Sequence, residues 1–421
     1  MTRVVRLTEY RRSEPVELTP HERDALRVAV TDLVVQPAFG SERSYVLTPG
    51  STVGVVRIDD LVVHIQPKVG AAPVLFMLSY AFDPRAWRPD SAPICADADL
   101  AEAIVPMFCR LAEEALRPGL LHGYVRVDES GPTIRGRVRF ADQARRHRGA
   151  PLPVEISYDD YTPDILENRL LVTALTILGR LRLRHAESNR VIARLSYLLQ
   201  GVSLLPAGRR PQEPIWTRLN ARYRPAIGLA RLIIEGLGVE AAAGGVEANS
   251  LLVNMNAVFE SFVRVALMEA LGLDAAHFPV GSGVSRTTLD KELLVRLQPD
   301  LSWWQEGRCV FVGDCKYKKS WNGVPNADVY QLLAYLTAFE LDDGMLIYAA
   351  GEDTERSVSV RHTGKRIRVH VLDVTRPPRD VLQDVARLSE EIRTLAWPPI
   401  VAREATLAMS NTVSVSVGGQ S

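Results

Sequence analysis

The sequence predicts an α+β multidomain chain in three folded parts. These are an N-terminal β-rich mixed domain over residues 1–150, a helical connector over 151–244 and a C-terminal α/β domain over 245–398. A tail, 399–421, follows. Three observations predict this. The first third alternates short β-branched runs with turn signals. The middle third repeats apolar residues at helical spacing. The last third alternates helix-like and strand-like segments. A length of 421 residues also suits about three domains of ~150 residues each.

In the first part, "HERDALRVAVTDL" reads as a helix. "SYVLTPGSTVGVVRIDDLVVHIQPKVG" then gives strands punctuated at Pro49-Gly50 and Asp59-Asp60. "PVLFMLSYAF" and "DLAEAIVPMFCRLAEEALRPG" read as helices, the second stopping at Pro118-Gly119. "GYVRVDESGPTIRGRVRF" reads as a hairpin turning at Ser130-Gly131. His64 lies between Val63 and Ile65 and reads as an ordinary strand residue.

In the connector, Thr162 is expected to cap a helix with Pro163 at its first position. Ile165, Leu166, Leu170, Ala174, Leu178 and Leu181 should form its buried stripe. "NRVIARLSYLLQGV" continues the helical pattern, and the small-residue run "EAAAGGVEANS" reads as a domain break. The last part opens with the helix "NMNAVFESFVRVALMEALG". A hairpin, the helix "NADVYQLLAYLTAFEL", the strands "DGMLIYAA" and "RIRVHVLDV", and the helix "DVLQDVARLSEEIRTLA" follow.

Apolar residues make up 47% of the chain, enough for real cores, and the formal net charge is zero. Any nucleic-acid surface must therefore be a local patch. The four cysteines, Cys95, Cys109, Cys309 and Cys315, are scattered without a CxxC, so neither zinc nor a disulfide framework is expected. A reducing cytoplasm fits that usage. "MTRVVRLTEYRRSEP" is too charged for a signal peptide, and "APVLFMLSYAF" is too short to span a membrane. "HTGKRI" lacks the first Gly and the Ser/Thr of a P-loop, so no nucleotide site of that type is expected.

The chemistry concentrates in "LQPDLSWWQEGRCVFVGDCKYKK", residues Leu297 to Lys319. Asp314 and Lys316 are two apart on one strand, so they share a face, while Cys315 and Tyr317 take the other. "QEGR" makes the turn. With Trp304 opposite Cys309, Asp300 falls opposite Gly313, beside Asp314. Two carboxylates this close repel by roughly 1–4 kcal/mol, depending on local dielectric. A divalent cation removes that cost, and Mg²⁺ needs few protein oxygens. A lysine on the same face can orient or deprotonate an attacking water, or offset charge in the transition state. Read alone, the pattern also suits a solvated hairpin end with a weak Asp–Lys pair.

The neighbourhood adds to it. Glu260 sits at the edge of the apolar stripe Val258, Phe259, Phe262, Val263, Ala266 and Leu267, where it could reach the site or pair with Arg264. Gln331 and Tyr335 share a helix face directly after the strand.

A helix with Glu260, then P-D, then D-x-K, then a helix with Q-x-x-x-Y resembles the PD-(D/E)xK nuclease superfamily on its RecB-like side. More narrowly, "NMNAVFESFV", "QPDLSWW", "GDCKYKK" and "DVYQLLAYLTAF" stand in the order seen in McrC, the nuclease subunit of McrBC-type modification-dependent restriction systems. Upstream, "VVHIQPKVG", "LFMLSYAF" and "DILENRLLVTALTIL" are similar to the same family. The resemblance implies a PD-(D/E)xK nuclease core over 245–398. It implies Asp300, Asp314 and Glu260 as ligands of Mg²⁺, with Mn²⁺ able to substitute. It makes Lys316 the catalytic lysine and Gln331 and Tyr335 further active-site residues. It implies double-stranded DNA as substrate and leaves open which modified base, if any, is recognised. The implied partner is a McrB-like AAA+ GTPase, expected to be hexameric, which docks on the N-terminal domain.

"RGRVRFADQARRHRG" is basic, and Arg135, Arg137 and Arg139 are expected to alternate on one strand face as a phosphate or partner contact. Lys318 is a further candidate DNA contact. Two other functions keep the same residues in view: a catalytically silent adaptor of the ring, which the intact Asp300, Asp314 and Lys316 disfavour, and a free-standing exonuclease, which leaves the N-terminal third without a role.

Overall fold

The computed structural model describes residues 2–39, 42–84, 100–148, 150–180, 186–206, 211–236, 248–279, 287–320, 325–351 and 356–396. Leu181, most of the small-residue break and the tail lie outside them. The chain divides into two compact units, residues 1–71 with 96–253, and residues 72–95 with 254–421. No helix among the described residues is long and apolar enough to cross a membrane.

The first unit begins with β1 (Arg3–Thr8), β2 (Val16–Glu17), α1 (Pro20–Ala29), β3 (Val34–Pro37), β4 (Ser44–Thr48), β5 (Thr52–Ile58) and β6 (Leu61–Gln66). Thr19 caps α1 in a reciprocal capping box with Glu22, and Pro20 opens the helix. β5 and β6 pair as a hairpin across the expected Asp59-Asp60 turn, with Asp59 at positive φ. α2 (Ala71–Phe82) passes into the second unit. α3 (Leu100–Leu116) then runs straight through Pro106. β7 (Gly123–Gly131), β8 (Arg137–Val138), α4 (Phe140–His147) and β9 (Val154–Thr162) follow. After them come α5 (Leu166–Arg180), α6 (Ala186–Leu198), α7 (Arg224–Gly236) and β10 (Ala248–Asn254).

These strands make a four-stranded sheet in the order β1-β6-β5-β10 and two three-stranded sheets, β2-β4-β3 and β7-β9-β8. In the four-stranded sheet Gly54 is obligatory. Its φ is +131°, and a Cβ there would sit 2.0 Å from the Leu251 carbonyl oxygen.

Three sequence expectations change here. The hairpin at Ser130-Gly131 does not form: β7 pairs along its whole length with β9, and β8 pairs with β9 too, so β9 is the centre. Pro132 interrupts the ladder, and Gly136, at φ +75°, turns the chain where a Cβ would lie 2.5 Å from the Ser157 carbonyl oxygen. Thr162 does not cap α5. It ends β9, and its hydroxyl accepts from the Asp164 N–H at 3.1 Å. Asp164 instead takes Arg169 and Ser203, which fixes the approach to a helix that starts at Leu166. The buried face of α5 keeps Leu170, Ala174 and Leu178 but also includes fully buried Asn168, while Ile165 and Leu166 are only partly covered. The Asn168 amide nitrogen donates to the Leu121 and Pro163 carbonyls, two partners for the donor of a polar group that periodicity alone would not place inside.

The second unit contains α8 (Met255–Leu271), β11 (Leu301–Gln305), β12 (Arg308–Ser320), α9 (Asn326–Ala338), β13 (Asp343–Gly351), β14 (Arg356–Ser359), β15 (Arg366–Val371) and α10 (Pro378–Ala396). Its sheet runs β11-β12-β13-β15-β14. The β12–β13 and β13–β15 pairs are parallel and the two outer pairs antiparallel. Met345 to Ala349 of β13 are wholly buried, as expected for a central strand covered on both faces. Asn254 caps α8 through the Asn256 and Ala257 amides. Leu332, Tyr335 and Leu336 of α9 pack with Val312, Leu346, Tyr348, Ile367 and Val369 on one face. Phe259 of α8 meets Tyr317 on the other.

Candidate active site

The site is built where β11, β12 and α9 meet. β11 and β12 pair with Trp304 opposite Cys309, as expected, but the register shifts by one between Trp303 and Trp304. Leu301, not Asp300, therefore faces Gly313, and Asp300, one residue further, is brought level with Asp314. A bulge re-aims a strand end in this way, and simple counting cannot see it. The Cys315 N–H then donates to Asp300 Oδ2 at 2.8 Å, which locks the first carboxylate to the strand of the second.

Asp314 has no exposed surface, and both its carboxylate oxygens lack a hydrogen bond. Lys316 Nζ lies 2.5 Å from its Oδ2, an ion pair without hydrogen-bond geometry. Burial pushes the Asp314 carboxyl well above the ordinary aspartate range, and the Asp300 charge pushes it further. Burial, then the Glu260 charge, raise Asp300 in the same way. Glu260 is raised chiefly by burial, with Arg264 opposing and Asp314 adding to the shift. Burial works to lower the Lys316 ammonium, but Asp314 outweighs it and holds the lysine above its ordinary value. Three acids thus disfavour one another's charge around one cation.

α9 closes the site from above. Lys316 Nζ donates to Gln331 Oε1 at 3.0 Å, Gln331 Nε2 donates to the Tyr335 hydroxyl at 2.9 Å, and that hydroxyl donates to the Gln298 carbonyl at 3.0 Å. The chain of bonds runs from the lysine to the residue two before Asp300. The structure thus gathers Asp300, Asp314, Lys316, Gln331 and Tyr335, with Glu260 linked to them through charge. Among the described residues no three His, Cys, Asp or Glu side chains converge as a metal cage. Asp300 and Asp314 are the carboxylates that could hold an ion, while Glu260, expected as a third ligand, does not converge with them and acts on them through charge. Two carboxylates would suit a hard cation that keeps most of its shell as water, as Mg²⁺ does, and neither oxygen of Asp314 is engaged in a hydrogen bond.

The arginines expected as a strand-face stripe are arranged otherwise. Only Arg137 lies in a strand, β8; Arg135 precedes it in the turn and Arg139 stands at the start of α4. Arg135 reaches Asp160 at 3.1 Å and covers the Tyr158 ring at 4.1 Å. Arg139 pairs with Asp142, Asp128 and Glu155. Glu155, almost fully buried, also takes Arg146 at 3.2 Å and His147 at 3.0 Å. Apart from Asp142 on α4, the acids that compensate these arginines are supplied by β7 and β9. Lys318 is likewise engaged, 2.8 Å from Asp328 Oδ2. Sequence reading passed over Asp328, a buried acid three residues before Gln331. Its place on the same helix face was the available signal.

The site is thus a mixed sheet bearing a buried and a partly buried carboxylate beside a lysine, with a glutamine–tyrosine helix bonded to that lysine. The family model described as McrBC 5-methylcytosine restriction system component matches residues 47–349, and the chain belongs to that family. It is similar to a solved half-complex from a tetradecameric assembly of Thermococcus gammatolerans McrB AAA+ hexamers with bound McrC. There the identity is 14%, the TM-score 0.49, and the match covers 92% of this chain and 100% of the other. It is also similar to a chain of the Thermococcus gammatolerans McrBC complex solved by cryo-EM, at 17% identity and TM-score 0.38, over 64% of this chain and 88% of that one. No curated protein matches.

Proposed function

We propose that the chain is the McrC-like subunit of a McrBC-type restriction complex and a Mg²⁺-dependent DNA endonuclease with a PD-(D/E)xK core. The carrying observation is Asp314: fully buried, level with Asp300, ion-paired with Lys316 and without a hydrogen bond to either oxygen. One lysine does not balance Asp300, Asp314 and Glu260 together, so the site favours a further cation. Asp300 and Asp314 would hold Mg²⁺, which when bound would offset phosphate charge and acidify a water.

The chain's own residues do the rest. The Lys316 ammonium carries three protons; Asp314 and Gln331 engage it from two sides, and it has capacity left to donate to a phosphate oxygen. Its raised pKa suits a charged donor rather than a base. Gln331, held by Tyr335, fixes where that ammonium points. Glu260 adds negative charge that strengthens cation binding.

The partner in this reading is a McrB-like AAA+ GTPase, as membership of a McrBC component family and the resemblance to McrC imply, docked on the N-terminal domain. The test is cleavage of methylated plasmid by the full chain with a McrB-like partner, GTP and Mg²⁺, against the same mixture with EDTA. Cutting that persists in EDTA, or never appears in any combination, would sink the reading.

A further inference from the structure

We propose that Asp328 is a positioning residue that fixes the start of α9, and so the place where Gln331 meets Lys316. The inference rests on the nuclease reading of this site. Asp328, Gln331 and Tyr335 stand at i, i+3 and i+7 on one face of α9, and each bonds to a neighbouring segment of the site. Gln331 takes Lys316 on β12, and Tyr335 takes the Gln298 carbonyl ahead of Asp300. Asp328 takes two donors from two strands. The Tyr348 hydroxyl of β13 donates to Oδ2 at 2.6 Å, and Lys318 Nζ of β12 donates to Oδ1 at 3.0 Å.

Three features make this more than a local ion pair. The first is burial: Asp328 is 5% exposed and Tyr348 0%, so the bond between them is made away from water, where hydrogen bonds are stronger and losing one costs more. The second is the helix start. Pro325 stands at the cap position and offers no side-chain cap, so α9 lacks the usual device that fixes its first turn. Asp328, in that first turn, supplies the anchor instead, and its charge suits the helix N-terminus. The third is register. Tyr348 is the pairing partner of Lys316 between β12 and β13, and immediately beyond it the ladder shifts between Lys316 and Lys319. The irregular end of β12, just past the lysine, is therefore where Lys318 is tied to α9.

Without Asp328 the Lys316–Gln331 bond would depend on a helix end with no cap, beside a strand end with a slipped ladder. A shift of about 1 Å in a positioned group is enough to lower turnover about a hundredfold.

The experiment uses the full chain with Mg²⁺ and its GTPase partner, and three substitutions. Asp328→Ala should lower kcat about a hundredfold while the KM for DNA and Mn²⁺ affinity stay near wild type. Tyr348→Phe should lower kcat about tenfold. Asp328→Asn, whose side-chain oxygen can still accept from Tyr348, should restore most of the activity lost in the alanine variant. Two readouts need no turnover. Hydrogen exchange at the first-turn amides of α9, and acylation of Lys316 by a lysine reagent, should both rise in Asp328→Ala and return in Asp328→Asn. Wild-type cutting by Asp328→Ala, or unchanged exchange and acylation, would overturn the proposal. If Asp328→Ala does not fold, Tyr348→Phe decides on the same readouts. If wild type does not cut DNA, or Asp314→Asn cuts as well as wild type, the nuclease reading has failed, and exchange and acylation still decide the role of Asp328.

Discussion

Asn at position 314 should make the metal-free protein more stable while removing cleavage. An ordinary aspartate ionises near 3.8, whereas burial, with the Asp300 charge, holds Asp314 at about 7. Its folded pKa lies above its unfolded one, so the folded state binds the extra proton. The cost of ionising it grows as pH rises from 3.8 towards 7 and is complete above that. At about 1.4 kcal/mol per pH unit this is about 4 kcal/mol at most. Asn keeps the shape and loses the charge, but it leaves Lys316 without its ion-pair partner, which returns part of the gain. The expected net is about 1–3 kcal/mol at pH 8, fading to nothing near pH 4. Urea denaturation of EDTA-treated wild type and Asp314→Asn at both pH values measures it. DNA cleavage with Mg²⁺ by the same variant should drop more than about a hundredfold. A variant less stable than wild type at pH 8, or one that still cuts, would show that Asp314 is not a metal-binding acid whose buried charge costs stability.

Lys316→Ala should lose cleavage but keep most Mn²⁺ binding by calorimetry; loss of binding as complete as in Asp314→Asn would refute the division of roles. Tyr335→Phe removes the hydroxyl between Gln331 and the Gln298 carbonyl. It should cost about 1–2 kcal/mol of stability and slow cleavage about tenfold, read by denaturation and single-turnover rates. Gly54→Ala places a methyl 2.0 Å from the Leu251 carbonyl oxygen at φ +131°. It should destabilise the first unit by about 2–4 kcal/mol, and an unchanged melting profile would contradict the close approach of β10.

Local pattern carried much of this protein. Period-2 runs and turn residues located β5 and β6, and helical spacing located α1, α5, α8 and α9, because those signals lie within a dozen neighbouring residues. The strand alternation placed Asp314 and Lys316 on one face, and the i, i+4 spacing put Gln331 and Tyr335 together, so the main parts of the site were legible before any fold was known. Decisions made between distant segments were not. The shift at Trp303/Trp304 that brings Asp300 level with Asp314 depends on how two strands share a ladder. The choice of β9 over a β7–β8 hairpin depends on a strand some twenty residues on. The arginines of the basic segment looked unpaired in sequence because Asp128, Glu155 and Asp160 reach them only after β7 and β9 pair. Asp328 looked like an ordinary first-turn acid until Tyr348 and Lys318 closed on it. Side-chain chemistry and periodicity are properties of the chain itself. Burial, register and charge compensation are properties of what the chain is packed against, and only the tertiary structure supplies them.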